Sequence, residues 1–65
     1  MISKEEVLKY FGEMKKTELI MENTYKDLAS QVKNEKYKRE FEQMSHEERD
    51  HFEKITALEK LVDKI

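Results

Sequence analysis

Apolar and aromatic residues recur along the first half of the chain at steps that alternate between four and three. The pattern is formed by Val7, Phe11, Met14, Met21, Tyr25, Leu28 and Val32. This is heptad spacing, and it predicts a helix that packs against other helices. Ser3 followed by Glu6 matches a capping box, so the helix is predicted to begin near residue 3. The pattern is interrupted once, at position 18, where the residue is Glu18.

The second half of the chain carries a similar pattern. It is formed by Tyr37, Phe41, Met44, Ile55, Leu58, Val62 and Ile65. Between Met44 and Ile55 the same alternation requires positions 48 and 51, which are Glu48 and His51. The polar stretch before this pattern contains Asn34, a residue favoured at helix N-termini. We therefore predict helices over about residues 3–31 and 35–65, joined by a turn at residues 32–34.

These elements predict an all-α fold, in which residues 1–65 form a single half domain, an antiparallel two-helix hairpin. Glu18 precedes Lys33 by fifteen residues and Glu48 follows it by fifteen. Residues equally far from the turn lie at the same height in such a hairpin, about 22 Å from the turn at about 1.5 Å per residue. Glu18 and Glu48 should therefore face each other, with His51 one turn further along.

Length and composition favour assembly of this hairpin with other chains. Sixty-five residues bury little surface alone, and the absence of cysteine excludes disulfides and thiolate metal sites. Charged residues make up 43% of the chain, but their signs are mixed, so a nucleic-acid partner is not expected. No apolar run is long enough for a membrane span, and the N-terminus lacks the apolar core of a signal peptide. A cytoplasmic location is expected.

The stretch SHEERDHFEKI, residues 45–55, admits three interpretations. Ser45 and Glu48 could form a capping box, although the heptad phase continues unchanged through this point. The stretch could be a solvated charged face, with Glu48 and His51 as a buried polar layer that fixes helix register. Side chains off the heptad pattern fit this second interpretation, namely His46, Glu47, Arg49, Asp50 and Lys54.

The third interpretation is metal ligation. Glu48 and His51 are three residues apart on one helix face, so both can reach one ion. A symmetric dimer would form a four-helix bundle and bring together two copies of Glu18, Glu48 and His51. The four carboxylate charges balance the charge of two divalent cations. Together with two imidazoles they form a donor set that suits iron, with manganese or zinc as alternatives.

Two motifs in the chain resemble those of the ferritin-like superfamily, and most closely of its half-length members, the encapsulated ferritins. ELIMENTY, residues 18–25, is similar to the first-helix motif, in which the ligand Glu precedes a Tyr by seven residues. EERDH, residues 47–51, is similar to the second-helix Glu-x-x-His motif, and the thirty residues between Glu18 and Glu48 also fit. The resemblance covers about residues 14–55.

The resemblance implies a ferroxidase, which oxidises Fe(II) to Fe(III) for iron storage or detoxification. Glu18, Glu48 and His51 would bind two iron ions per dimer of a ferritin-like four-helix bundle. It also implies a hydrogen bond from the Tyr25 hydroxyl to a ligand carboxylate, whereas Tyr25 could equally be a packing aromatic. Glu22 is either an acid that guides iron or, more simply, a surface acid.

The resemblance further implies a homodimer within a ring of dimers, and a location inside an encapsulin shell. The chain ends on LEKLVDKI, which keeps the heptad pattern and lacks the shell-docking tail of encapsulated ferritins. Two alternatives stay open for the function. One is a rubrerythrin-like peroxide reductase, and the other is a non-catalytic helical dimer with a buried polar layer.

Overall fold

The first helix, α1, spans Lys4–Gln31 in the computed structural model, which describes residues 2–65. The Ser3 hydroxyl accepts a hydrogen bond from the Glu6 amide at 3.1 Å, so the predicted N-cap is confirmed. The helix ends where Val32 becomes extended, and the Val32 amide still donates to the Leu28 carbonyl at 3.0 Å.

The second helix, α2, spans Glu35–Asp63, two residues short of the predicted end. Asn34 is its N-cap, because its side-chain oxygen accepts hydrogen bonds from the amides of Lys36 and Tyr37. Residues 35–63 form one continuous helix, so Ser45 does not begin a new one. Ser45 is instead buried.

The two helices pack antiparallel along their whole length. Tyr25 stacks on Phe41 near the turn, with ring centroids 6.4 Å apart, and the Lys4 ammonium donates to the Asp63 carbonyl at the open end. The resulting rod measures 48 × 15 × 15 Å. The predicted all-α hairpin is confirmed, and the part of the chain that the structure describes contains no β-strand.

Each helix turns two rows of residues toward the other helix. The middle row repeats every seven residues and comprises Phe11, Glu18, Tyr25 and Val32 on α1, and Phe41, Glu48, Ile55 and Val62 on α2. The inner row lies beside it and comprises Leu8, Lys15, Glu22 and Ala29 on α1, and Lys38, Ser45, Phe52 and Glu59 on α2. All of these side chains are buried or half-buried.

The other half of the predicted apolar pattern forms an outer row that faces away from the partner helix. It comprises Val7, Met14, Met21 and Leu28 on α1, and Tyr37, Met44, His51 and Leu58 on α2. Val7 and Met21 are half-buried, and the other six are exposed. A single hairpin therefore leaves part of the predicted apolar pattern exposed, because one neighbouring helix covers only part of each heptad face.

The described helices are amphipathic and charged throughout. Neither helix within residues 2–65 is long and apolar enough to cross a lipid bilayer.

Candidate metal centre

Both helices contribute to one cluster of ligand atoms near the middle of the hairpin. Nδ1 of His51 lies 3.5 Å from Oε2 of Glu18 and 3.9 Å from Oε2 of Glu48. One ligand atom from each of the three residues lies within 4.8 Å of the others. The structure therefore brings together the three residues that the interrupted heptad pattern predicts.

The spacing of these atoms is close to that of ligands around one ion. Two donors bound to the same ion at about 2.1 Å each can be separated by at most about 4.2 Å. The distances of 3.5 and 3.9 Å fall within this limit. Because residues 18, 48 and 51 lie in the interior of long helices, helical hydrogen bonds before and after them fix their backbone positions.

The carboxylates of Glu18 and Glu48 are partly buried, and a nearby positive charge would stabilise them. Their side chains are only 19% and 18% exposed. Oε2 of Glu18 is buried, and it has no hydrogen-bond partner among residues 2–65. A buried polar atom without a partner is costly, and a bound cation would satisfy it.

Proximity to Glu18 also changes the pKa of Glu48. The pKa of Glu48 is raised above the usual glutamate value, first because hydrogen bonding with Glu18 favours the protonated carboxyl. Partial burial and the negative charge of Glu18 act in the same direction, and His51 opposes them. A cation bound at this point would oppose that shift, because a positive charge favours the carboxylate form of Glu48.

His51 is the accessible member of the cluster. Its side chain is 53% exposed, so the expected burial of this residue is wrong within one chain. The physical reason is its place in the outer row, which no helix of the hairpin covers. The imidazole therefore closes the cluster on the side of the exposed apolar face.

Glu22 belongs to a second polar layer one turn from Glu18. The interpretation of Glu22 as a surface acid is wrong, because the residue is only 8% exposed. Its carboxylate lies 3.5 Å from Nζ of Lys26 and 3.9 Å from Nε of Arg49. Its carbonyl accepts a hydrogen bond from the buried Ser45 hydroxyl at 3.3 Å. Lys26 and Arg49 therefore neutralise the charge of Glu22 within the hairpin. A role of Glu22 in guiding iron stays a prediction.

The apolar pattern did not predict that Ser45 and Arg49 take part in the contact between the helices, although the sequence contains a signal for Ser45. Position 45 lies seven residues from Lys38 and from Phe52, so it shares their helix face. A second heptad phase, offset by one residue from the apolar one, would have placed Ser45 in the helix contact. Arg49 contacts this layer from its edge and lies over the Phe52 ring at 5.2 Å.

Tyr25 lies in the middle row, two turns from Glu18. Its ring stacks on Phe41 at an interplanar angle of 20°, as expected for a packing aromatic. The hydrogen bonds found within residues 2–65 include none from the Tyr25 hydroxyl to Glu18 or Glu48. A hydrogen bond to a ligand carboxylate stays a prediction.

Comparison of the chain with protein-family models, with curated proteins and with solved structures finds no match. The resemblance to encapsulated ferritins therefore depends on the motifs around Glu18 and Glu48.

Proposed function

We propose that this protein binds and oxidises iron at a site shared by two copies of the hairpin. The observation that supports it best is the cluster of Glu18, Glu48 and His51, in which two half-buried carboxylates meet an imidazole. Fe(II) is the substrate, and dioxygen or hydrogen peroxide is the oxidant. The product, Fe(III), would go to storage or detoxification.

A dimer follows from the number of ligands. One hairpin offers three protein ligands, whereas two hairpins offer four carboxylates and two imidazoles around two ions. Di-iron carboxylate bundles use this set, with one Glu from each of two helices and a Glu-x-x-His pair from each of the others. The exposed outer row beside His51 is the surface through which a second copy would complete the set.

Each of the three residues has a definite task in this proposal. Glu18 supplies a buried carboxylate oxygen for which no hydrogen bond is formed within residues 2–65. Glu48 would bind as a carboxylate, and His51 would bind through a neutral imidazole nitrogen. When iron is bound, it supplies the one-electron redox chemistry, and the protein supplies geometry and charge balance.

The direct test adds Fe(II) aerobically to metal-free protein and follows the near-ultraviolet absorbance of Fe(III) species. We expect oxidation faster than in buffer, saturating at two irons per dimer. Glu48→Ala should abolish the acceleration while circular dichroism shows the helices intact. Glu53→Ala is the matched control, because Glu53 is an exposed acid on the same helix outside the cluster.

Oxidation no faster than in buffer would contradict the proposal. The cluster would then be a non-iron metal site or a buried polar layer that fixes helix register. Unchanged oxidation in Glu48→Ala would also overturn it, because the iron would then be oxidised elsewhere.

A further inference from the structure

Two cationic side chains lie close to the candidate metal centre without pairing with its carboxylates. Lys15 lies three residues before Glu18 on α1, and residues at this spacing are neighbours that readily form ion pairs. Arg49 directly follows Glu48 on α2, and it contacts α1 one turn from Glu18. Within residues 2–65, however, neither cation forms an ion pair with Glu18 or Glu48.

Lys15 is held instead by an acid of the other helix. Its Nζ lies 2.7 Å from Oε1 of Glu59 and 5.3 Å from the centre of the Phe52 ring. Glu59 follows Glu48 by eleven residues, so this contact lies toward the open end of the hairpin, away from the metal centre. Lys15 and Glu59 are both half-buried, so water screens their attraction only in part.

Arg49 is held in a similar way on the side toward the turn. Its Nε lies 3.9 Å from Oε2 of Glu22, and its guanidinium carbon lies 5.2 Å from the centre of the Phe52 ring. Glu22 follows Glu18 by four residues on α1, which runs toward the turn. The two cations are therefore drawn away from the metal centre in opposite directions, each by an acid outside the ligand cluster.

The consequence of this arrangement appears at Glu18. Its Oε2 atom is buried, and no hydrogen bond is formed to it within residues 2–65. A buried carboxylate with a lysine one turn away would ordinarily take that lysine as its partner, because an unpaired charge inside a protein is costly. Glu59 and Glu22 prevent this by holding the two cations elsewhere. A metal ion that enters the cluster then has no ammonium or guanidinium group to displace.

We propose that Glu59 and Glu22 are positioning residues, which keep the metal centre open by holding Lys15 and Arg49 away from its carboxylates. The inference rests on the proposed function in that the carboxylate–imidazole cluster binds a metal ion. It concerns the access of a cation to the cluster, so it applies whether or not the bound metal is oxidised.

The test measures Zn(II) binding by isothermal titration calorimetry, which involves no redox step. In Glu59→Gln, Lys15 loses its acid and turns to Glu18, where its ammonium group competes with the ion. We expect the Kd for Zn(II) to rise about tenfold, as is typical when a residue that supports metal ligands is lost. Glu53→Gln is the matched control, because it removes the same charge from an exposed position of α2 and should leave the Kd unchanged.

Lysine variants distinguish this role from a purely structural one. Lys15→Met breaks the same ion pair but also removes the competing cation, so it should not weaken Zn(II) binding. In the Glu59→Gln background, Lys15→Met should restore the wild-type Kd, whereas Lys16→Met, which removes an exposed neighbouring charge, should not. Equal losses of affinity in the single variants Lys15→Met and Glu59→Gln would mean that the pair only ties the helices together, and would overturn the proposal.

Glu22→Gln applies the same test on the other side of Glu18, and it replaces Glu59→Gln if circular dichroism shows that variant to be unfolded. The Kd for Zn(II) should rise, and Arg49→Gln should restore it. A wild-type Kd in both folded acid variants would overturn the proposal and leave the metal centre in place.

The wild type separates this inference from the proposed function. If it binds no Zn(II), the metal centre is wrong and the inference fails with it. If it binds Zn(II) with the expected variant effects but does not accelerate iron oxidation, the positioning role holds and the ferroxidase is overturned.

Discussion

Glu48 is an acid whose burial beside Glu18 opposes the ionisation of its carboxyl group. It is half-buried against another acid, and its pKa is raised because it shares hydrogen bonding with Glu18 and is partly removed from water. The proton is thus held more tightly in the folded chain than in the unfolded one. Ionising Glu48 costs stability, and this cost is absent below the unfolded pKa and complete above the folded one.

A pH series on Glu48→Gln tests this conflict in metal-free protein. The variant removes the ionisation and keeps the shape, so its melting temperature should exceed that of the wild type at pH 7. The advantage should shrink as the pH falls through and below the ordinary glutamate pKa of 4.5, because Glu48 then becomes protonated in both states. Circular dichroism melts give the values, and Glu53→Gln serves as the exposed control. An advantage that grows as the pH falls would contradict the prediction.

Residues of the site differ in how well the sequence predicts them. Glu18, Glu48 and His51 were predictable because each occupies a position where the heptad pattern requires an apolar residue. Glu22 was not, because a carboxylate beside the pattern is usually solvated. Its carboxylate is neutralised by Lys26, one turn along the same helix, and by Arg49 of α2, whose approach to 3.9 Å is a tertiary contact.

The two helices themselves follow from local signals. Ser3 and Asn34 mark the starts of α1 and α2 through their side-chain caps, and both were recognisable as short polar residues before an apolar pattern. The face on which the helices meet was harder to predict. Only the middle row of the apolar pattern is used within the hairpin, together with a more polar inner row.

This inner row contains an ion pair that should contribute measurably to the hairpin. Nζ of Lys15 lies 2.7 Å from Oε1 of Glu59, with side chains 27% and 23% exposed, and it also lies over the Phe52 ring. Charges at such depth are normally retained only when paired. The pair therefore ties α1 to α2 on the face opposite the outer row.

A double-mutant cycle with Lys15→Met and Glu59→Gln should give a coupling energy of about 1 kcal/mol or more in urea unfolding. The matched comparison is Lys4 with Asp63, which are 4.0 Å apart and more exposed. Lys4→Met with Asp63→Asn should couple by less than about 0.5 kcal/mol, because solvent screens that pair. Equal coupling energies in the two cycles would contradict the claim that burial strengthens the Lys15–Glu59 ion pair.

At the scale of the whole molecule, the hairpin exposes an apolar surface. Its outer row exposes Met14, Tyr37, Met44 and Leu58 along one side, and His51 lies in the middle of them. An exposed apolar surface of this kind marks an interaction site. In the proposed dimer, a second copy would complete the set of three ligands and cover the exposed apolar face. Metal binding and assembly should therefore be linked.

Titration with Zn(II) tests this linkage without redox chemistry. Binding only to the folded dimer at one hundred times the dissociation constant should stabilise it by about 2.7 kcal/mol, seen as a higher melting temperature and a shift toward dimer in analytical ultracentrifugation. His51→Ala should lose most of both effects, because the imidazole is the ligand nearest the partner copy. His46→Ala is the control, since His46 is exposed on the same helix and outside the cluster. If Zn(II) stabilises both variants equally, the ion binds elsewhere. If Zn(II) stabilises the wild type without moving the monomer–dimer equilibrium, the cluster holds its ion within one hairpin, and the outer row is covered for packing alone.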